Sequence, residues 1–165
     1  MKKLLFMLMM LAPMAAFAQK FGHVNSQGII QAMPEFTKAR TDIEALAKQY
    51  DADLKSMQEE IQKKAEALEK EQATLPANIK QRREQELQEM YQKYQQSAQD
   101  NQQALAKEQS EKMQAITTKV LDAIKAVGTA GNYVYIMDLS SGIHYISTTL
   151  STDVTAKVKA KLGLK

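Results

Sequence analysis

Residues Glu35 to Val127 form a run of 93 positions without a glycine, and the only proline among them is Pro76. Glycine and proline are the strongest interrupters of a helix, so a run this long with one break near its middle predicts two long helices and a short connection. Pro34 precedes the run, and Gly128 and Gly131 follow it. The expected turn is Leu75-Pro76-Ala77-Asn78, a length that suits an antiparallel helical hairpin.

The apolar pattern supports that reading. In the first helix the apolar positions are Phe36, Ala39, Ile43, Leu46, Tyr50, Leu54, Met57, Ile61, Ala65 and Leu68. From Ile43 onward the spacing repeats every 11 residues, a period that gives an almost straight or slightly right-handed seam. The same period returns in the second helix through Leu87, Tyr91, Tyr94, Ala98, Asn101, Leu105, Met113, Ile116, Val120, Ile124 and Val127. Two helices sharing one unusual period are expected to pack on each other. A stripe this narrow seals one partner helix and no more. The remaining faces are polar and offer Glu-to-Lys pairs four residues apart, at 44 and 48, 59 and 63, 60 and 64, and 66 and 70. Each contributes ~0.3 kcal/mol. From Gln95 to Gln103 the stripe is nearly all polar. That stretch is either simply solvated or a compliant point in the hairpin, since poor apolar contact lowers local stability.

Length then decides architecture. Helices of roughly 40 and 49 residues extend about 60 and 74 Å at 1.5 Å per residue. A compact globule holding all of the processed chain would be only about 38 Å across. The hairpin, residues 35–127, is therefore expected to project as an arm from a small body formed by residues 19–34 and 128–165.

The N-terminus reads as a secretory signal over residues 1–18. Lys2 and Lys3 lead an apolar run from Leu4 to Leu11, and Ala16-Phe17-Ala18 supplies the small-x-small pattern, with cleavage expected between Ala18 and Gln19. An uncleaved anchor is the alternative. No cysteine follows the apolar run, which excludes a lipidated anchor, and the exported fold is not a disulfide scaffold. The formal charge of +3 includes the two signal lysines, so the processed chain carries 20 basic against 19 acidic residues, or +1. That is no electrostatic footprint for nucleic acid. The charge is uneven: Asp51 to Leu75 holds seven acids and four bases, and Met113 to Lys165 six bases and three acids.

The body segments are short. Lys20 to Val24 reads as an edge strand, followed by an Asn25 or Ser26 helix cap and a short helix bearing Ile29, Ile30 and Met33. Tyr133 to Met137 and Ile143 to Ile146 read as two strands joined by a turn over Asp138 to Gly142. A last helix is expected from a Thr152 or Asp153 cap, with Val154, Val158 and Leu162 apolar and a stop at Gly163. The strands are apolar on both faces and need cover on both sides. One chain lacks enough body to supply it, so self-association is expected, with Val24, Val134, Ile136, Ile143 and Tyr145 as the oligomerisation residues.

No catalytic constellation is legible, and no cofactor is implied. There is no glycine-rich phosphate loop, hence no ATP site, and no thiol nucleophile. His23 and His144 both fall on expected strands; half-buried strand histidines account for them, since no further ligand has metal spacing. The arm carboxylates alternate with Lys and Gln and lie in no pocket. What remains is surface. Met90, Tyr91 and Tyr94 crowd one narrow seam, so one of Met90 and Tyr91 must show a side to solvent. That is either loose packing or a soft apolar contact on the arm's inner face, where Met and Tyr suit adaptable binding.

Several stretches together resemble the Skp/OmpH family of periplasmic chaperones. They are Phe21-Gly22-His23-Val24-Asn25, the uninterrupted hairpin, Val120 to Val127, Tyr133-Val134-Tyr135-Ile136-Met137-Asp138 and Ser151-Thr152-Asp153-Val154-Thr155. The order of these elements carries the resemblance more than any one motif. It implies a mostly α fold with a small β body: a long antiparallel coiled-coil hairpin projecting from a trimeric, β-barrel-like body. It further implies a homotrimer that holds unfolded outer-membrane proteins between three arms, in the periplasm and without ATP. Two features depart from the family. Its best-studied members are strongly basic, so charge steering here is expected to be weaker. A basic lipopolysaccharide cluster proposed for the family keeps only Lys107 and Lys119, with Ser97 and Glu108 at other positions, and is not carried over. Peripheral contact with membrane lipids remains an expectation; nucleic acid is not an expected partner. The competing reading is a structural coiled-coil spacer of the envelope without chaperone activity.

Overall fold

The computed structural model describes residues 19–164, so the expected signal segment and Ala18 lie outside the described residues. The elements are β1 (Lys20–Val24), α1 (Ser26–Ala32), α2 (Pro34–Glu71), α3 (Ala77–Gly131), β2 (Tyr133–Asp138), a 3-10 turn (Leu139–Ser141), β3 (Ser151–Asp153) and α4 (Thr155–Lys161). The chain is mostly helical with a small three-stranded sheet. It divides into two compact units. One is Pro34–Ala115; the other joins the described residues up to Met33 to those from Ile116 onward.

In the first unit, α2 opens on Pro34, whose fixed φ and missing N–H suit a first helical position. Every position of the expected α2 stripe is buried or half-buried, with Ala39 and Ile61 buried most completely. The connection to α3 spans 72–76 rather than 75–78. The Glu71 carbonyl accepts from the N–H groups of Thr74 and Leu75 and from the Thr74 hydroxyl, which ends α2. The Pro76 carbonyl accepts from Ile79 and Lys80, which starts α3 two residues earlier than expected. Lys112 reaches Asp42 at 3.4 Å and Arg83 reaches Glu71 at 2.7 Å across the hairpin. Lys64 pairs with Glu86 instead of the expected Glu60. The expected pairs at 44 and 48 and at 66 and 70 are also replaced: Glu44 takes Arg40 at 3.3 Å, and Glu66 accepts from Gln62 at 2.9 Å. Each replacement partner lies four residues N-terminal to its acid, where the expected lysine lay four residues C-terminal.

The second unit is built on β1. It is the central strand, order β2-β1-β3, with parallel pairing on both sides, and not the edge strand expected. Asn25 caps α1, its side chain accepting from the Gly28 N–H at 2.7 Å. Val24, Ile29, Met33, Val120, Val154 and Val158 are at most 1% exposed and form the core, with Ile116 and Ala123 beside them. Burying each such aliphatic side chain contributes about 1.5–3 kcal/mol.

Three expectations for this unit are corrected. The return helix does not stop near Val127; it continues through Gly128 to Gly131. At Gly128 a Cβ would lie 3.4 Å from the Ile136 side chain, and at Gly131 it would lie 2.3 Å from the Tyr133 ring. The glycines thus let β2 fold back closely on the helix end, where Asn132 takes the left-handed conformation at φ 54°. The expected second strand does not form either, for residues 142–147 are irregular, His144 lies off any strand, and Tyr145 is 81% exposed. Asp138 is the cause. Its carboxylate accepts from the Ser140 N–H at 3.1 Å and from the Ser26 hydroxyl, turning the chain into a 3-10 segment instead of a hairpin. The second partner of β1 is Ser151–Asp153, where a helix cap was expected. Helix α4 starts one step later, with the Thr155 N–H donating to Asp153 at 2.8 Å, and ends before Gly163 at φ 73°.

Replacing Ile29→Ala should destabilise the protein by about 2–5 kcal/mol, and exposed Lys48→Ala by no more than about 0.5, measured by urea unfolding. Acid should act through Asp138 and Asp153. Burial pushes the Asp138 pKa up, but the hydrogen bonds from Ser26 and Ser140 outweigh it and the net shift is downward. For Asp153 the Thr155 hydroxyl leads the downward shift against burial, helped by the Thr155 N–H and by His23. Both groups therefore stabilise the fold fully above about pH 4, and that stability is lost as pH falls through their lowered folded values. Asp138→Asn should flatten the acid limb of the unfolding midpoint plotted against pH.

Candidate functional site

The narrow seam of the hairpin leaves its flanks open. Helix α3 runs unbroken from Ala77 to Gly131, through the polar stretch, where Ser97, Ala98 and Asn101 are only half-buried. Larger openings lie nearer the turn. Ile61 and Ala65 of α2 face Tyr91 and Tyr94 of α3 across a groove of about 410 Å³. On the other flank Met57, Ile61 and Met90 line a smaller groove of about 240 Å³ with Glu60, Lys64, Glu86 and Lys93. A third, shallower groove of about 480 Å³ continues past Tyr91 to Leu68 and Leu87.

The structure therefore brings Tyr91 and Tyr94 together and sends Met90 to the opposite flank. Tyr91 is the side chain left out of the seam, 51% exposed, while Met90 is half-buried. The physical reason is the helix period: adjacent residues point about 100° apart, so a one-residue-wide seam admits only one of them.

Electrostatics differ between the flanks. On the Met90 side Lys64 and Glu86 satisfy each other: the hydrogen bond to Glu86 raises the Lys64 pKa, and the same bond lowers that of Glu86. Toward the other end of the hairpin Lys112 bonds Glu108 and Asp42, which raises its pKa against desolvation. The Tyr91 groove is lined by Glu66 and Glu69 and by no lysine or arginine. None of these cross-hairpin pairs was named from the sequence, although a signal existed. The residue numbers of Lys64–Glu86, Glu71–Arg83 and Asp42–Lys112 sum to between 150 and 154, as an antiparallel register about the turn requires.

The oligomerisation residues fall into two groups. Val24 lies in the chain's own core, and Ile136 packs against Gly22 and Gly128. Val134 is 58% exposed on β2, Tyr145 stands in solvent, and Ile143 is half-buried in the irregular segment. Beside them the sheet presents a face the sequence reading had not singled out. Phe21 stacks on Tyr135 with ring centres 4.8 Å apart, and His23 lies level with Met137. Tyr135 and Met137 remain largely exposed. His23 meets Ser151 through Nδ1 at 2.9 Å, tying β1 to β3.

Comparison with known proteins places this architecture. The profile of the outer membrane protein (OmpH-like) family matches residues 20–162. The proteins named Chaperone protein Skp of Pectobacterium atrosepticum and Yersinia enterocolitica are each 26% identical over 141 residues, 86% of this chain and 84% of theirs. That of Vibrio cholerae is 27% identical over 132 residues, 80% of this chain and 78% of its own. A crystal structure of an OmpH-like protein from Caulobacter crescentus CB15 superposes with a TM-score of 0.75 at 15% identity, over 87% of this chain and 83% of that one, and shows a shared fold. With the match running from β1 through α4, this chain belongs to the OmpH-like outer membrane protein family.

Proposed function

We propose that this protein is an ATP-independent holdase chaperone of the periplasm, exported by a cleaved signal peptide, that keeps unfolded outer-membrane β-barrel proteins from aggregating. The observation that carries the reading is a long hairpin with a half-closed seam, in a chain whose relatives include proteins named as chaperones. In this reading three copies assemble through the body, residues 19–34 and 128–165. Their arms, residues 35–127, surround a shared cavity. Clients are held by many weak contacts, and confinement raises the effective concentration of those contacts. Met90, Tyr91 and Tyr94 are among the arm residues that touch them. Membrane lipids are a peripheral partner.

The exposed sheet supports self-association. Parallel sheets are ordinarily covered on both faces, yet Tyr135 and Met137 on one face and Val134 at the β2 edge stay 43–58% exposed in the single chain. An unpaired strand edge with apolar neighbours is a ready template for another copy.

Two measurements test this. Diluting a urea-unfolded β-barrel protein into buffer with equimolar trimer, and no ATP, should suppress light scattering. Unchanged aggregation would sink the chaperone reading and favour the envelope spacer. Light scattering of the protein alone should give the mass of a trimer, and Val134→Asp with Tyr135→Asp should reduce it to that of a monomer. A monomeric parent protein would remove the cavity from the mechanism.

A further inference from the structure

We infer that the groove faced by Tyr91 and Tyr94 is a docking site for arginine side chains in extended, apolar client segments. This rests on the holdase reading for the source of the segment, but the chemistry belongs to the groove itself. Its floor is aliphatic: Ile61 is 3% exposed, with Ala65 beside it. Its wall is aromatic, and the Tyr91 ring is half open to solvent. Its rim is anionic, since Glu66 and Glu69 are three residues apart and share one side of α2.

The charge on that rim is unanswered within the chain. Glu66 holds only the Gln62 amide, and among the described residues neither Glu66 nor Glu69 has an ion-pair partner. On the opposite flank the acid of the same hairpin level is neutralised, Glu86 by Lys64. The absence of a base is thus particular to the tyrosine side.

A guanidinium fits all three surfaces together. Its plane stacks on a tyrosine ring, its forked donors match carboxylates, and its methylenes lie along an aliphatic floor. An ammonium has no plane to stack, and an acidic side chain is repelled. The groove's volume, about 410 Å³, suits one long side chain and its flanking backbone, not a folded partner. The shallower groove beyond Tyr91, bounded by Leu68 and Leu87, then receives an apolar neighbour of the arginine.

The test is fluorescence anisotropy of the intact protein with labelled, tyrosine-free disordered peptides of one apolar sequence. Their central residue is arginine, lysine, citrulline or glutamate. Arginine should bind about fivefold tighter than lysine, and tighter still than citrulline, an uncharged isostere. Glu66→Gln with Glu69→Gln should remove most of arginine's advantage over citrulline and leave citrulline unchanged, while Tyr91→Leu should reduce the preference for arginine over lysine. Equal binding of arginine and citrulline, or a preference undiminished in the double glutamine variant, would overturn the inference. A readout independent of variants is ring-proton NMR of the parent protein: the arginine peptide should shift Tyr91 and Tyr94, and unmoved rings would overturn it equally. Suppressed aggregation without arginine preference defeats this inference alone; arginine preference without suppressed aggregation leaves the groove standing and defeats the holdase reading.

Discussion

The parallel pairing of β1 with both β2 and β3 is the constraint on which the rest depends. It joins Phe21 to Tyr135 and to Ser151, residues more than 100 positions apart. Parallel strands cannot be joined by a tight turn, so a crossover must connect β1 to β2. Here that crossover is the entire helical hairpin together with α1. The loop so closed is very long, but closure entropy grows only slowly with length, and a modest core suffices to hold it. That core is small: Val24, Ile29, Met33, Val120, Val154 and Val158 provide most of it. The chain ends are secured by specific polar links, Asp138 to Ser26, Ser151 to His23 and the Val154 N–H to the His23 carbonyl.

The hairpin has the opposite character. Its seam is one residue wide, its buried positions are few, and its cross-helix ion pairs are exposed or only part-buried, where such pairs contribute little. A structure of this kind keeps its helices through local hydrogen bonding and surrenders tertiary contact cheaply. For the proposed function, in which the arm accepts chains of differing shape, that is a fitting property. The grooves beside the seam follow from the same economy of side chains: one apolar residue per turn closes the middle and leaves the flanks open.

The hairpin was legible because its signals are local. Absence of glycine, the 11-residue period and a single proline all act within a few turns, and of the stripe they define Tyr91 alone is left exposed. The body was legible only in part. Ile143 to Ile146 has the composition of a strand, but the Asp138 carboxylate diverts the chain before a hairpin can close. Ser151–Asp153 has no hydrophobic alternation, and it is a strand because β1 offers it an edge. Gly128 looks like a helix end and is instead a place where Ile136 approaches the helix closely. Of the candidate site, the crowding of Met90 and Tyr91 showed that one must face solvent, but not which one.

By itself, then, the sequence determined the helices, their antiparallel return and the order of elements that marks the family, because helix formation and periodic burial are set by neighbours three and four residues away. Only the tertiary structure decided the strand order, the parallel register and the separation of Tyr91 from Met90 onto opposite flanks. Those depend on which distant groups meet: a carboxylate at Asp138 finding Ser26, a central strand with two free edges, and a seam too narrow for two adjacent side chains.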